Sequence, residues 1–166
     1  MNVSPLYAVL AFVALERVAE AIYGERNARA LLRLGAREVA VVQYPFLVVL
    51  HAAWLLSMLL FVPAYAPVSW PLIAAYGALQ IARLWVFAAL GPRWTARIVV
   101  LPGAPLVRTG PYRFLRHPNY AIVVLEIALL PAAFGAYWIA AAFSVLNAPL
   151  LWWRVRAEDA ALAASG

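Results

Sequence analysis

The sequence of 166 residues contains no cysteine and no lysine, and only 12% of its residues are charged, against 67% that are hydrophobic. The absence of cysteine excludes disulfide bonds, thiolate metal sites and cysteine nucleophiles. The shortage of charge excludes an ordinary soluble domain, in which about 25% of residues are charged. Since so short a chain lacks the polar residues to cover a soluble core, its mean hydropathy of +0.85 predicts a small polytopic membrane protein.

All 13 basic residues are arginine, and with seven acids they give a formal net charge of +6. Such a balance favours nucleic acid only where the arginines share a soluble face. Here they lie between apolar runs, as in the cytoplasmic loops of membrane proteins. The two histidines, His51 and His117, lie far apart and form no metal-ligand pair. We therefore expect neither a nucleic-acid partner nor a metal.

Five apolar stretches approach the length of about 20 residues that a membrane-spanning helix needs. They cover roughly residues 4–23, 39–62, 70–90, 118–134 and 136–153. The first lacks the basic start of a signal peptide, so we expect it to be a retained helix. Only a short turn at Gly135 separates the last two, which predicts a tight helical hairpin. The expected fold class is all-α integral membrane, with five transmembrane helices.

Eleven of the thirteen arginines fall in three segments, residues 24–38, residues 91–117 and the tail from residue 154. The alternate loops, residues 63–69 and the turn at Gly135, carry no charge. Because arginine-rich segments stay in the cytoplasm, we expect the N-terminus outside and the C-terminus in the cytoplasm. The expected location is a bacterial inner membrane. Residues 91–117 are too apolar for a disordered linker, so they should form a folded cytoplasmic connector between helices 3 and 4.

Charges inside the predicted spans are costly in lipid and should face the interior of the bundle. They are Glu16, Arg17, Glu20, Arg83 and Glu126. Arg83 and Glu126 can pair with each other or with another of these charges, and a structural role and a substrate role both stay open. We expect His51 to be a hydrogen-bonded histidine of the bundle rather than a catalytic base.

Residues 110–120 read GPYRFLRHPNY and combine several features of a binding site. Pro118 suits the first residue of a helix, and the free backbone donors of a helix start favour an anionic group. The rings and hydroxyls of Tyr112 and Tyr120 suit an adenine or a ribose. Composition alone instead favours an ordinary interfacial belt of aromatic residues and arginines.

In the tail, Arg154 and Glu158 are four residues apart and share one face if the fifth helix continues. As an ordinary surface pair they contribute only about 0.3 kcal/mol to stability. The spacing by itself therefore does not distinguish a site from an exposed ion pair.

Taken together, the two stretches are distinctive. The pattern Leu-Val-x-x-Gly-Pro-Tyr-Arg-x-x-Arg-His-Pro-x-Tyr, then a helical hairpin, then Arg-x-x-x-Glu-Asp-x-x-Leu, resembles the isoprenylcysteine carboxyl methyltransferase family, which is related to the phospholipid methyltransferases. The stretch LGPRWTARIVVLPGA is similar to a bacterial branch associated with type III polyketide synthases, which methylates alkylpyrones. The resemblance implies a single membrane domain over residues 1–166, with variable N-terminal helices (1–82) and a methyltransferase core (83–162).

The resemblance also implies S-adenosyl-L-methionine as cofactor and S-adenosylhomocysteine as product, bound in a cytoplasmic pocket that the connector closes. Arg154 matches the family's arginine for substrate and catalysis, whereas Arg97 is too loosely spaced to assign. Asp159 stands where the family has a second glutamate. The positions that match cofactor contacts are Ala104, Pro105, Leu106, Val107, Tyr112, His117, Pro118, Asn119, Tyr120 and Glu158.

These residues predict a membrane methyltransferase that methylates a carboxylate, enol or phenol oxygen of a lipophilic substrate, such as a prenylcysteine or an alkylpyrone, entering from the bilayer. Transfer from a sulfonium to an oxyanion destroys charge, so a dry site favours it. Two alternatives remain open at this point: a phospholipid N-methyltransferase, and a non-enzymatic scaffold or transporter subunit.

Overall fold

Five α-helices and one two-stranded sheet form the computed structural model, which describes residues 4–164. In chain order the elements are α1 (Pro5–Arg33), β1 (Arg37–Val39), α2 (Gln43–Phe61), α3 (Trp70–Leu90), β2 (Ile98–Val100), α4 (Pro118–Ala133) and α5 (Tyr137–Ala163). Two short 3₁₀ helices, Gly91–Arg93 and Gly110–Arg113, lie in the connector. The five predicted helices are confirmed, and so is Pro118 as the first residue of α4.

Three of the predicted helix boundaries are wrong. Helix α1 continues ten residues past the expected end at residue 23, because the stretch that follows consists, apart from Gly24 and Asn27, of good helix formers. It ends next to Gly35, whose φ of +92° suits glycine. Helix α5 likewise continues to Ala163 instead of ending at residue 153. Helix α2 begins at Gln43 rather than 39, since Val39 is the last residue of β1 and residues 40–42 form a turn.

The small sheet is a departure from the all-α expectation. Strand β1 pairs antiparallel with β2, with Arg37 opposite Val100 and Val39 opposite Ile98. Residues 98–100 are all β-branched, which suits a strand, but their partner strand lies about 60 residues earlier in the chain. The sheet fastens the connector to the link between α1 and α2.

The core lies where α1, α2, α4 and α5 meet, and it contains Leu10, Trp54, Met58, Leu130 and Ile139. The outer faces of α2 and α3 are also apolar, with large exposed side chains. Both helices are long and apolar enough to cross a membrane, while the apolar α4 has 16 residues. The outward apolar faces are those expected of helices that contact lipid. Five crossings, and the direction of each, remain predictions.

The hairpin between α4 and α5 is confirmed. Gly135 has a φ of +73°, and its amide donates to the Ala132 carbonyl at 3.0 Å. The next amide, of Ala136, donates to the Pro131 carbonyl at 3.0 Å. This glycine-dependent helix ending sends the chain directly back, so that the end of α5 lies beside the start of α4.

A network of buried charges joins α1, α3 and α4. Arg83 and Glu126 are each 3% exposed, and Arg83 donates through both Nε and Nη2 to the Glu126 carboxylate. Its Nη1 lies 3.3 Å from Glu20 Oε1, and Arg17 Nη1 lies 3.0 Å from Glu20 Oε2. Gln80 donates to Glu126 Oε1 at 2.7 Å. The sequence left the ion-pair partner of Arg83 open, and in the structure Arg83 pairs with both Glu126 and Glu20.

The other two polar residues that the sequence singled out in the predicted spans are Glu16, which lies beside this network, and His51, which bonds within its own helix. Glu16 Oε2 is 3.1 Å from Arg17 Nη2. His51 Nδ1 is 2.9 Å from the Leu47 carbonyl, one turn earlier in α2. This hydrogen bond confirms the expectation that His51 is bonded within the bundle.

Candidate active site

A pocket of about 720 Å³ lies between the connector, the start of α4 and the end of α5. Its size is in the range of ordinary small-molecule sites, about 300–1,000 Å³. Eight of the ten positions that match cofactor contacts line it, together with Arg154: Ala104, Leu106, Val107, Tyr112, His117, Asn119, Tyr120 and Glu158. The fold thus gathers residues from positions 104 to 158 around one cavity, whereas their individual roles remain predictions.

The other two matched positions, both prolines, are not among the residues that line the pocket. The Pro105 carbonyl accepts a hydrogen bond of 2.8 Å from Arg93 Nη1. Pro118 is buried as the first residue of α4. Through these contacts the two prolines shape the backbone on which their neighbours face the cavity.

A hydrogen bond between Tyr120 and Glu158 joins α4 to α5 inside the pocket. The Tyr120 hydroxyl donates to Glu158 Oε2 at 2.6 Å. The His117 ring stacks on the Tyr120 ring, with centroids 5.5 Å apart, and its Nδ1 lies 3.7 Å from Glu158 Oε2. The α4–α5 hairpin brings these residues together because it places the start of one helix beside the end of the other.

Asp159, for which the sequence suggested no role, holds the other side of His117. Its Oδ1 lies 3.1 Å from His117 Nε2 and accepts from Arg116 Nη2 at 3.2 Å. The histidine is therefore held between two consecutive carboxylates of α5. Although aspartate is shorter than glutamate, Asp159 reaches the His117 ring from its place on α5.

Arg154 is 4% exposed, which rules out an ordinary surface ion pair. Its Nη2 donates to the Ala96 carbonyl of the connector at 2.9 Å, and its guanidinium carbon lies 5.8 Å from the centre of the Tyr120 ring. Nε is buried and has no hydrogen-bond partner among residues 4–164. The guanidinium therefore retains an unused donor beside the pocket.

The connector is fastened to the N-terminal half through Arg97. This guanidinium donates to Glu25 Oε2 at 2.6 Å and to Glu38 Oε2 at 2.8 Å. Sequence reasoning left Arg97 unassigned and missed both carboxylates, because nothing in their local sequence indicates a partner so far along the chain. The pocket is thus built on both halves of the protein.

Tyr112 reaches the pocket from the second 3₁₀ helix, which begins at Gly110. A Cβ at Gly110 would lie 2.9 Å from the Ala89 Cβ, and its φ is +57°, so this close approach to α3 requires glycine. Burial raises the pKa of the Tyr112 phenol above its usual value, and the Glu158 carboxylate raises it further. The phenol therefore stays protonated at neutral pH and can donate a hydrogen bond.

Comparison with known proteins identifies the family. Residues 72–164 match the model of the isoprenylcysteine carboxyl methyltransferase family. The "Uncharacterized protein YpbQ" of Bacillus subtilis (strain 168) is 38% identical over 158 residues, which are 93% of this chain and 94% of that protein. No solved structure gives a significant match. The closer resemblance to the bacterial branch associated with type III polyketide synthases stays a prediction. The resemblance to the family is confirmed: the chain belongs to the isoprenylcysteine carboxyl methyltransferase family, a family of membrane methyltransferases.

Proposed function

We propose that this protein transfers a methyl group from S-adenosyl-L-methionine to an oxygen atom of a lipophilic acceptor. The observation that carries the proposal is the pocket of about 720 Å³, which unites the buried Arg154 with the Tyr120–Glu158 pair. A cavity on which several polar side chains converge is what a binding site for a polar cofactor requires.

The polar groups of the pocket fit this cofactor. Glu158 and Asp159 are acceptors that suit ribose hydroxyls or an amino group. The Asn119 Oδ1 atom is buried and has no hydrogen-bond partner in the described part of the chain, which leaves an acceptor for the ligand. The rings of Tyr112 and Tyr120 suit the adenine.

When bound, the cofactor supplies an electrophilic methyl group on a sulfonium. The protein's own residues then have two tasks, to hold the acceptor oxygen in line and to exclude water. Arg154 can perform the first through its unused Nε, because a guanidinium binds an oxyanion with paired donors. Apolar side chains on the pocket wall, including Leu31, Leu90 and Ile98, perform the second.

Charge on the pocket wall favours an acidic acceptor. Six arginines line the pocket against two carboxylates: Arg93, Arg97, Arg108, Arg113, Arg116 and Arg154, with Glu158 and Asp159. A positive wall stabilises a carboxylate, an enolate or a phenolate, and such an oxygen needs little help from a general base. A phospholipid amine, the alternative acceptor, would meet repulsion there in its ammonium form and would need a base to lose its proton.

A lipophilic acceptor is supported by the exposed apolar side chains around the site. Leu106 lines the pocket, and the exposed Trp85 and Phe114 rings lie 6.3 Å apart beside the connector. We propose that the acceptor, a prenylcysteine or an alkylpyrone-like molecule, enters from the bilayer. We further propose the inner membrane as the location, with the connector on the cytoplasmic face, because the arginine-rich segments meet there.

The proposal is tested with the full chain in lipid nanodiscs. Calorimetry with S-adenosylhomocysteine measures cofactor binding, and radiolabelled S-adenosyl-L-methionine measures transfer to a prenylcysteine analogue, an alkylpyrone and a phosphatidylethanolamine. We expect binding, and transfer to an acidic lipophilic acceptor. Transfer to the phospholipid alone would establish the N-methyltransferase alternative. Absence of cofactor binding would overturn the proposal and favour a non-enzymatic membrane protein.

A further inference from the structure

The C-terminal part of α1 touches the backbone of the connector at Gly24. A Cβ built on Gly24 would lie 2.9 Å from the Ala96 amide nitrogen and 2.9 Å from Cζ3 of the Trp94 ring. Real Cβ atoms do not approach other atoms so closely, and here one of the two neighbours is backbone. Any larger residue at position 24 must therefore displace residues 94–96.

Two polar contacts fasten the same stretch of the connector to α1. Asn27, which is 7% exposed, donates through Nδ2 to the Trp94 carbonyl at 2.9 Å. The Tyr23 hydroxyl donates to the Gly91 carbonyl at 3.1 Å, and the Tyr23 ring stacks on Trp94 with centroids 5.8 Å apart. A buried carbonyl that loses its donor costs free energy, so the hydrogen bond of Asn27 fixes the position of Trp94.

The backbone held in this way is the one that Arg154 uses. The Ala96 carbonyl, two residues after the carbonyl that Asn27 binds, accepts the 2.9 Å hydrogen bond from Arg154 Nη2. A chain of direct contacts thus leads from Gly24 and Asn27 through residues 94–96 to the guanidinium. The Nε donor of Arg154, which has no hydrogen-bond partner among residues 4–164, takes its direction from the same anchor.

We propose that Gly24 and Asn27 are positioning residues for Arg154: they set the place of the Ala96 carbonyl, and the carbonyl orients the guanidinium beside the pocket. The kinetic consequence of this inference rests on the proposed methyl transfer, but the orientation of Arg154 does not. The family resemblance placed α1 among the variable N-terminal helices, outside the methyltransferase core. On this inference, α1 helps to position a residue of the active site.

Nuclear magnetic resonance of the arginine side chains tests the orientation without any reaction. The Nε–H resonance of Arg154 is assigned in the full chain in nanodiscs by its absence from Arg154→Lys. We expect Gly24→Ala and Asn27→Leu to shift it. The matched control is Gly77→Ala in α3, where a Cβ meets no atom within 4 Å, and there the resonance should stay in place. An unshifted resonance in both folded variants overturns the inference, whatever reaction the protein catalyses.

Methyl transfer gives the second test. Because a misplacement of about 1 Å can cost about 100-fold in rate, we expect Gly24→Ala and Asn27→Leu to lower kcat by roughly 10- to 100-fold, and to change the Kd of S-adenosylhomocysteine by a smaller factor. In an Arg154→Lys background the same two changes should have little further effect on kcat. An equal loss in both backgrounds contradicts positioning through Arg154. If the wild-type protein transfers no methyl group, the proposed function is contradicted. The shift of the Arg154 Nε–H resonance then still tests the positioning of Arg154.

Discussion

Two buried arginines, Arg83 and Arg154, are almost equally hidden from solvent, at 3% and 4% exposure, yet their surroundings differ in kind. Arg83 directs Nε, Nη1 and Nη2 at the carboxylates of Glu126 and Glu20. Arg154 Nη2 donates to a backbone carbonyl, its guanidinium lies 5.8 Å from the centre of the Tyr120 ring, and its Nε has no hydrogen-bond partner among residues 4–164. A guanidinium whose donors are taken by carboxylates joins helices together, whereas one with a free donor can bind a ligand. The comparison distinguishes an arginine that is satisfied by carboxylates within the helices from one that we propose binds a ligand.

The largest expected effect is on stability, at the Arg83 site. Glu126→Leu leaves Arg83 buried without its main partner and should lower the free energy of unfolding by about 3–5 kcal/mol. Thermal unfolding in detergent measures it. The double variant Arg83→Met with Glu126→Leu removes both charges and should recover most of the loss. If the double variant were as unstable as the single one, the network would have a role beyond pairing.

At the Arg154 site, the effect should fall on catalysis. Arg154→Ala removes a donor that would stabilise the acceptor oxyanion, so kcat should fall by about 100-fold or more. The matched control is Arg156→Ala in the same helix, whose guanidinium lies 4.7 Å from the centre of the Trp152 ring and is absent from the pocket wall. Methyl transfer by both variants, with melting temperatures alongside, makes the measurement. A similar loss in Arg156→Ala would remove the distinction between the two positions.

The Tyr120–Glu158 pair should affect the cofactor more than the acceptor. Glu158→Gln keeps the shape of the side chain and removes its charge, so affinity for S-adenosylhomocysteine should fall by about tenfold or more. Tyr120→Phe removes one donor to Glu158 and should have a smaller effect. Calorimetry at constant ionic strength measures both. Unchanged affinity in Glu158→Gln would show that the cofactor does not bind at the Tyr120–Glu158 pair.

The smallest expected effect on activity belongs to a test of membrane topology, which asks on which side of the membrane two loops lie. Because the chain has no cysteine, single cysteines can be introduced without background. Tyr65→Cys lies at an exposed position in the link between α2 and α3, and Arg116→Cys at an exposed position in the connector. A membrane-impermeant maleimide applied to intact cells should label the first and not the second, with little effect on activity in Tyr65→Cys. The reverse pattern would put the arginine-rich face and the pocket outside the cell.

Much of the helical architecture could be read from local sequence. Apolar runs of the right length predicted five helices, Pro118 the start of α4 and Gly135 the hairpin, because these features act over one or two turns of chain. The resemblance to a family supplied the pocket residues. The bounds of α1 and α5 were less accurate, since the limit of an apolar run marks the expected edge of the membrane and not the end of a helix.

The sequence by itself therefore indicated the membrane class, the family and eight of the ten matched cofactor positions that meet at the pocket. Only the tertiary structure decided how that set is held. The pairing of β1 with β2, the bonds from Arg97 to Glu25 and Glu38, and the Ala96 carbonyl that receives Arg154 all join distant segments. A backbone carbonyl is the same in every residue, so no side chain marks the one that Arg154 binds. Its place depends on packing at Gly24, where the absence of a side chain lets two segments meet.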